Sequence, residues 1–241
     1  MYGIDFAGKT VLVTGGSSGI GNGIARVFRR AGAQVHVTGT KAKKADYDSD
    51  LEGMAYYQLD VGDDRAVDAF TPDFKRLDTL VNSVGTVAYK KQEFQMPGWR
   101  RVMDVNLNGV MHCCTKFQPM LAASKGSIVI ISSMASFHAT RGNPAYSASK
   151  GGLRTLTMTL AEAWGKDGVR VNAVAPGFVD TKLTKITRDN PALYEASIRN
   201  TPLGRWGDPM EMGTAALFLA SDMASYITGA MIPVDGGSGL S

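Results

Sequence analysis

Short runs of β-branched residues alternate with longer helical patterns along the chain, and this alternation restricts the fold more than any other feature. Several runs are apolar almost without interruption, as in Ile128–Ile131, which is typical of strands buried on both faces of a parallel sheet. The strand–helix order predicts an α/β fold with a doubly wound parallel sheet of about seven strands and helices on both faces. The predicted strands are Thr10–Thr14, Gln34–Thr38, Met54–Leu59, Thr79–Asn82, Ser127–Ser132, Arg170–Ala175 and Ala230–Val234.

Helical patterns fill most of the chain between these strands. The length of 241 residues and the hydrophobic content of 44% suit a single domain with a substantial core, residues 1–241. The segment Lys182–Arg205 is polar, holds two prolines and breaks the alternation. We interpret it as a mobile lid over a substrate site, and an ordinary surface excursion is the alternative. The predicted helices are Ile20–Arg30, Arg65–Phe70, Gly98–Ala123, Pro144–Lys166 and Glu211–Ala220.

Composition and spacing argue against several classes of partner. The net charge is only +4, and no basic run is interleaved with aromatic residues as in a nucleic-acid surface. The adjacent Cys113 and Cys114 and the three histidines show no metal-ligand spacing, so no metal site is expected. No apolar stretch reaches membrane-spanning length and no signal core is evident, so a cytoplasmic protein that does not bind membranes is expected.

The segment Thr14–Gly21 joins the first predicted strand to the first predicted helix and reads Thr-Gly-Gly-Ser-Ser-Gly-Ile-Gly. Its glycines let the backbone turn tightly and approach a pyrophosphate, and the helix N-terminus presents free amide groups to the negative charge. This placement predicts a nucleotide site. The predicted contacts in this loop are Gly15, Ser17, Ser18, Gly19, Ile20 and Gly21.

Tyr146 and Lys150 are four residues apart in a predicted helix and therefore share one of its faces. A cation beside a phenol favours the phenolate and lowers the pKa of the phenol toward working pH. Such a phenol can exchange a proton with an alcohol or carbonyl oxygen. Taken alone, such a pair is more often a surface tyrosine beside a solvated lysine, because this spacing arises by chance on many helices.

Five short motifs occur in a fixed order along the chain. They are Thr14–Gly21, Asp60 with Val61, Asn82–Gly85, the set Ser133, Tyr146 and Lys150, and Pro176-Gly177 with Thr181. With these motifs the chain resembles the short-chain dehydrogenase/reductase family over nearly its whole length. The resemblance implies a Rossmann-type fold, a nicotinamide cofactor, and interconversion of a secondary alcohol with a ketone or aldehyde.

The same resemblance assigns the cofactor contacts beyond the glycine loop. Asp60 and Val61 would hold the adenine ring, and Asn82 and Gly85 would lie beside the adenosine ribose. A helix cap or turn residue is the alternative for Asp60. The residues assigned to the nicotinamide end are Pro176, Gly177, Val179 and Thr181, together with Tyr146 and Lys150.

The end of the second predicted strand bears on the choice between NAD and NADP. Gly39 stands where NAD-dependent members usually carry an aspartate, and Thr40 and Lys41 offer a hydroxyl and a cation to a 2′-phosphate. We therefore favour NADP(H). NAD(H) stays open because the arginine favoured by the family is absent both at Ser18 and at Thr40.

Four residues match the catalytic set of the family. By this resemblance Tyr146 exchanges the proton at the substrate oxygen, and Ser133 donates a hydrogen bond to that oxygen. Lys150 would lower the pKa of Tyr146 and bind the nicotinamide ribose. Asn106 would position a water near Lys150.

Neighbouring residues compete for two of these roles. Ser132 is the rival of Ser133, which is favoured because it lies thirteen residues before the tyrosine. Asn108 competes with Asn106 but fits the motif less well. A serine nucleophile is not favoured, because no histidine or acid is spaced to activate Ser133.

The segment between Ser133 and Tyr146 is similar to that of sugar-acid and polyol dehydrogenases of the family. His138 and Arg141 would hydrogen-bond hydroxyls or a carboxylate of the substrate, beside Ser133 and Tyr146. Side chains at the rim or at a subunit contact are the alternative for His138 and Arg141. The substrate is therefore expected to be a small polyol or sugar-type molecule.

Two other functions are weighed against this one. A 3-oxoacyl-carrier-protein or acyl-CoA reductase shares the Gly-Thr ending of the second strand, and a basic surface suits an acidic carrier protein. A catalytically inactive nucleotide-binding regulator is less favoured, because such members usually lack part of the catalytic set. The family and the long predicted helices Gly98–Ala123 and Pro144–Lys166 also predict a homotetramer or homodimer.

Overall fold

The computed structural model describes residues 3–240. Within them, seven parallel strands form one sheet in the order β3-β2-β1-β4-β5-β6-β7. This confirms the predicted α/β fold, and each predicted strand end lies within one residue of the observed end. The strands are β1 (Thr10–Thr14), β2 (Gln34–Gly39), β3 (Ala55–Gln58), β4 (Thr79–Asn82), β5 (Ser127–Ile131), β6 (Arg170–Pro176) and β7 (Met231–Val234).

Successive residues of the central strands feed two separate cores. Leu12 packs into one core with the buried Phe117, whereas Val11 and Val13 pack into the other core with Phe28. Alternate side chains of a strand point to opposite faces, so a continuous apolar run fills both layers. The helices are α1 (Gly19–Arg30), α2 (Asp64–Ala69), α3 (Met96–Met103), α4 (Gly109–Ser124), α5 (Pro144–Trp164), α6 (Lys185–Arg188), α7 (Pro191–Arg199) and α8 (Pro209–Ala220).

Helices α1 and α8 pack closely on one face because glycines lie between them. A Cβ on Gly23 would lie 2.5 Å from the carbonyl oxygen of Pro209, and a Cβ on Gly213 would lie 2.7 Å from a methyl of Val27. Both distances are far below van der Waals contact. This contact holds the start of α1, and with it the glycine loop, against the body of the sheet.

The predicted single helix Gly98–Ala123 is wrong in one respect. The chain forms α3, then a π-helical turn over Asp104–Asn108, then α4. A π turn inserts one residue into the helical ladder, and such insertions are frequent at functional sites. Here the inserted turn carries Asn106, whose side chain is fully buried.

The segment Lys182–Arg205, which we interpret as a mobile lid, contains regular secondary structure. It holds α6 and α7, and α7 begins at Pro191 with the side chain of Asn190 accepting a hydrogen bond from the Leu193 amide at 3.2 Å. An Asn-Pro pair is a recognised helix start, so α7 could have been predicted from the sequence.

Two further findings concern membrane-spanning helices and the reactivity of the two thiols. Within residues 3–240, no helix combines the length and the apolar character needed to cross a bilayer. Cys113 and Cys114 are free and buried, and burial raises the pKa of the Cys113 thiol to about 12. A thiol with a raised pKa is a poor nucleophile at neutral pH.

Candidate active site

A cleft of about 470 Å³ opens at the carboxyl end of the sheet, beside the junction of β1 and β4. The sheet continues through β2 and β3 on one side of this junction and through β5, β6 and β7 on the other. Ligands of open α/β sheets bind at such a switch point. The volume lies within the range of about 300–1,000 Å³ that is usual for small-molecule and cofactor sites.

The glycine loop lines one end of this cleft, and two of its residues admit no side chain. A Cβ on Gly15 would lie 2.8 Å from the Ser83 carbonyl oxygen, and one on Gly21 would lie 2.2 Å from the Gly15 carbonyl oxygen. Gly15 and Gly19 have positive φ angles of 70° and 53°. All the predicted loop contacts line the cleft: Gly15, Ser17, Ser18, Gly19, Ile20 and Gly21.

The N-terminus of α1 is available to an anion. Ser18 is the N-cap residue but makes no capping hydrogen bond with its side chain, and the first turn of α1 holds no acidic residue. Free amide groups and the helix dipole together favour a phosphate at this point. The residues present therefore fit a pyrophosphate-containing cofactor.

The end of β2 lies beside the same loop. A Cβ on Gly39 would lie 2.4 Å both from the Ser17 hydroxyl oxygen and from the Tyr47 hydroxyl oxygen, so an aspartate does not fit at position 39 without displacing them. Thr40 and Tyr47 line the cleft. Tyr47 is a cleft residue that the sequence reasoning missed, because it comes from an irregular polar segment.

Lys41 is not among the residues that line the cleft, so its predicted contact with a 2′-phosphate stays a prediction. Its ammonium donates to the Asp46 carbonyl oxygen and lies 4.8 Å from the centre of the Tyr47 ring. Burial by itself raises the pKa of Tyr47, but hydrogen bonds with Ser17 and the Lys41 backbone outweigh it and hold that pKa below its usual value.

Asp60, Val61 and Gly85 line the cleft where the adenine end was predicted. Asp60 also has the alternative role of a turn residue, because one carboxylate oxygen accepts the Gly62 amide at 2.9 Å. The other oxygen accepts from Arg101 of α3 at 3.0 Å. Arg101 lines the cleft as well and had no signal in the motif analysis.

Asn82 lies at the end of β4 and is not among the residues that line the cleft, so its predicted place beside the ribose stays a prediction. It is 1% exposed, its amide nitrogen donates to the Cys114 sulfur at 3.2 Å, and its amide oxygen accepts from the Thr14 hydroxyl at 3.0 Å. The side chain therefore joins β4 to β1 and α4.

Of the four cofactor contacts predicted at and after the end of β6, only Thr181 lines the cleft. Val179 is packed in the core at 2% exposure. Pro176 is buried at the end of β6, and a Cβ on Gly177 would lie 2.8 Å from the Asp235 backbone. Pro176, Gly177 and Val179 therefore pack against the rest of the fold, and Thr181 is the one of the four that forms part of the cleft wall.

Tyr146 and Lys150 both line the cleft from α5. Lys150 is 3% exposed, and its ammonium donates to the Ile131 carbonyl oxygen at 2.9 Å and lies 5.7 Å from the centre of the Tyr146 ring. Burial lowers the pKa of Lys150 to about 8. An ammonium in this state carries less positive charge than a solvated lysine does at neutral pH.

The pKa of Tyr146 is raised, which corrects the predicted lowering by Lys150. Burial of the phenol is the main cause, and a hydrogen bond with Ser133 acts in the opposite direction. Ser132, the rival serine, also lines the cleft, but its hydroxyl donates to the Lys150 carbonyl oxygen at 3.0 Å. Ser133 is the serine whose side chain acts on the pKa of the phenol.

Asn106 connects the loop after β4 to α5. Its amide nitrogen donates to the Thr86 carbonyl oxygen at 2.9 Å and the Ser149 hydroxyl at 3.2 Å, and its oxygen accepts the Thr86 amide at 2.8 Å. These bonds occupy the side chain, so its positioning of a water stays a prediction. Asn108 is exposed and bonds to Asp104.

The predicted substrate residues His138 and Arg141 are exposed on the segment before α5. Across the cleft, the Tyr89 hydroxyl donates to the carbonyl oxygen of Leu183 in the segment Lys182–Arg205. Lys182 and Leu183 line the cleft. Tyr89 is a further residue, after Tyr47 and Arg101, that sequence reasoning missed, since a loop tyrosine carries no periodic signal.

Among residues 3–240, no group of three or more histidine, cysteine, aspartate or glutamate side chains is arranged to hold a metal ion. The polar groups that line the cleft are mostly hydroxyls, amides and backbone donors. These suit phosphate and sugar oxygens.

Comparison with known proteins gives a consistent result. The family described as "Enoyl-(Acyl carrier protein) reductase" matches residues 15–239. The chain is 38% identical to a 2-dehydro-3-deoxy-D-gluconate 5-dehydrogenase from Pseudoalteromonas atlantica, over 95% of each chain. It is also 38% identical to the 3-oxoacyl-[acyl-carrier-protein] reductase FabG from Chlamydia muridarum, over 95% of this chain and 96% of the relative.

Solved structures agree with these sequence relatives. A gluconate 5-dehydrogenase from Burkholderia cenocepacia J2315, in complex with NADP and tartrate, superposes with a TM-score of 0.89 at 29% identity, covering 99% of this chain and 98% of the other. Fold, site and relatives together lead to one conclusion: the chain belongs to the short-chain dehydrogenase/reductase family of oxidoreductases.

Proposed function

We propose that this oxidoreductase uses NADP(H) to interconvert a secondary alcohol of a polyol or sugar-type substrate with the corresponding ketone or aldehyde. The observation that carries the proposal is that Tyr146 and Lys150 line the same cleft as the glycine loop, with the Ser133 side chain acting to lower the pKa of the phenol. A phenol that can exchange a proton and a helix N-terminus that suits a phosphate therefore share one cleft.

The chemistry assigns one task to each polar group. When bound, the nicotinamide supplies or accepts the hydride at the carbinol carbon. Tyr146 gives its proton to the carbonyl oxygen during reduction and takes it back during oxidation. Ser133 donates a hydrogen bond to the same oxygen and stabilises the charge that develops on it. Lys150, held against Ile131, provides a positive charge beneath the phenol.

The cofactor preference rests on the end of β2. The chain has no aspartate at this point to hold the 2′-hydroxyl of NAD, and a side chain at Gly39 would have to displace the Ser17 and Tyr47 hydroxyls. Hydroxyl groups of Ser17, Thr40 and Tyr47 line the cleft there and can donate to a phosphate. The gluconate 5-dehydrogenase relative was solved with NADP, which supports the same choice.

A sugar-type substrate is supported by two dehydrogenase relatives that act on sugar acids. The exposed Arg141 offers a guanidinium to a carboxylate at the rim. The 3-oxoacyl-thioester reductase is the second candidate, because a FabG relative is equally similar at 38% identity. Exposed apolar side chains of Leu183 and Ile186 on the lid suit an acyl chain.

We further propose that Lys182–Arg205 acts as the substrate lid. The Tyr89–Leu183 hydrogen bond and an ion pair of 3.3 Å between Lys182 and Asp48 connect it to the opposite rim. A homotetramer or homodimer is also proposed, because Met111 of α4 and Met158 of α5 are exposed. The buried free thiols suit a reducing compartment such as the cytoplasm.

Steady-state assays on a substrate panel test this function. The panel holds gluconate, 2-dehydro-3-deoxy-D-gluconate, galactitol and an acetoacetyl thioester, each assayed with NADP(H) and NAD(H). We expect the highest kcat/KM on a sugar acid or polyol, and a preference for NADP(H) of about 10-fold or more from charge-assisted hydrogen bonds to the phosphate.

The variant Arg141→Ala separates the two candidate substrates. It should raise KM for sugar acids by about 10-fold and leave KM for neutral galactitol unchanged, because only the acids carry a carboxylate. Fastest turnover on the thioester, with no response to Arg141→Ala, would favour the carrier-protein reductase. Binding of NADPH without turnover on any compound would favour a nucleotide-binding regulator.

A further inference from the structure

Glu93 carries a buried carboxylate that none of the assigned roles uses. It lies in a short 3₁₀ turn, Gln92–Phe94, between β4 and α3, and only 1% of the residue is exposed. Burying a carboxylate is costly unless hydrogen bonds compensate for the lost water. The hydrogen-bond partners of this carboxylate therefore indicate its role.

The first partner of this carboxylate is the catalytic helix. Oε2 of Glu93 accepts the backbone amide of Tyr146 at 2.9 Å. This amide belongs to the first turn of α5, where the N-cap residue Asn143 makes no capping hydrogen bond with its own side chain. A carboxylate from outside the helix thus caps it, with its negative charge at the positive end of the helix dipole.

The other oxygen connects the loop after β4 to the start of α5. Oε1 accepts the backbone amide of Ala88 at 3.0 Å and the side-chain amide of Asn143 at 3.1 Å. Ala88 directly precedes Tyr89, whose hydroxyl bonds to Leu183 of the lid. One carboxylate therefore joins the loop after β4, the start of α5 and, through Tyr89, the lid.

We infer that Glu93 is a positioning residue of the active site: its carboxylate fixes the first turn of α5, and so the direction of the Tyr146 hydroxyl, and its charge acts on the phenol. This inference rests on the proposed function of Tyr146 as the proton-exchanging group. The geometry supports it through three hydrogen bonds that converge on one buried side chain.

The charge of Glu93 has a predictable direction of effect on Tyr146. Burial is the largest cause of the raised pKa of Tyr146, the Ser133 hydrogen bond opposes it, and the charges of Tyr89 and Glu93 raise it further. Lys150, on the same helix, is the other titratable group beside the ring. Removing the charge of Glu93 therefore lowers the pKa of the phenol.

Glu93→Gln tests both effects. Both oxygens of Glu93 face N–H donors, but an amide has only one acceptor oxygen, so its NH₂ group must face a donor. We expect kcat to fall on the order of 10-fold through misplacement of the phenol. The alkaline limb of the kcat profile for carbonyl reduction should move to lower pH, because the phenol loses its proton earlier. The dissociation constant of NADPH should not change.

Two further variants separate positioning from a general loss of folding. Glu93→Asp keeps the charge, so its alkaline limb should stay at the wild-type pH even where the shorter side chain lowers kcat. Glu162→Gln removes an exposed carboxylate farther along α5 and should match the wild type in both respects. An unmoved alkaline limb in Glu93→Gln would overturn the proposed action of the charge.

Hydrogen exchange of the Tyr146 amide gives a readout that does not depend on turnover. Loss of the cap should speed exchange in the first turn of α5 in Glu93→Gln, and not in Glu162→Gln. Equal protection in wild type and Glu93→Gln would overturn the positioning role. A wild type that oxidises no NADPH on the panel would instead contradict the proposed function.

Discussion

Replacement of Tyr146 by phenylalanine is expected to lower kcat by about 10³-fold, since positioned acid–base groups contribute about 10²–10⁴-fold. The variant removes only the phenol hydroxyl, on whose pKa the Ser133 side chain acts. The ring remains, and the Lys150 ammonium keeps its hydrogen bond to Ile131. NADPH should therefore bind with nearly wild-type affinity, as measured by fluorescence titration, while steady-state assays report the lost turnover.

Tyr226→Phe is the matched control for this prediction. Tyr226 is fully exposed, so the loss of its hydroxyl should change neither kcat nor cofactor affinity. If Tyr146→Phe kept more than about a tenth of the wild-type kcat, general acid–base catalysis by this phenol would be ruled out. A parallel loss of NADPH binding would point to a structural role of the hydroxyl.

Gly21→Ala is expected to abolish cofactor binding in practice. The new methyl group would lie 2.2 Å from the Gly15 carbonyl oxygen, and the neighbouring atoms are backbone that cannot rotate away. The glycine loop must then shift, and the amide groups at the start of α1 leave their positions around the phosphate. We expect NADPH to bind at least about 100-fold more weakly, because charge-assisted hydrogen bonds contribute about 1.5–3 kcal/mol each.

The same overpacking should lower the free energy of unfolding by about 1–3 kcal/mol, which denaturant titration measures. Gly165→Ala provides the control, since a Cβ there meets nothing within 4 Å and the backbone has an ordinary negative φ. Gly165→Ala should retain both stability and affinity. Normal NADPH affinity in Gly21→Ala would show that the loop does not hold the cofactor.

Local signals explain what the sequence could predict. The strands were found because each is a short apolar run such as Ile128–Ile131, and the two buried cores require such runs. The glycine loop was found because close backbone approach between Gly15 and Gly21 excludes any other residue. These constraints act over a few residues, so they are visible without the fold.

Side-chain direction was the part that the sequence could not provide. Asn82 and Lys41 lie where the chain order places them, but both side chains have partners outside the cleft, with Cys114 and Asp46. Tyr47 enters the cleft from an irregular segment with no periodic pattern. Which side chain faces the ligand depends on tertiary packing that no local motif encodes.

Electrostatics was misjudged for the same reason. The spacing of Tyr146 and Lys150 correctly placed both on one face of α5, but burial lowers the pKa of the lysine and raises that of the phenol. Desolvation is a property of the folded core and not of spacing. The buried Glu93 is a further example, since it lies in a polar stretch and meets α5 only in the fold.

The central claim is that this protein is an oxidoreductase with a nicotinamide cofactor. Isotope transfer tests that claim most directly. Reduced NADP carrying deuterium at its transferable position is supplied with the best carbonyl substrate of the panel, and the alcohol product is examined by mass spectrometry and NMR. The predicted result is an alcohol with one deuterium on its carbinol carbon, formed by the wild type and not by Tyr146→Phe. An alcohol without deuterium, or no reduction of any carbonyl in the panel, would contradict the account.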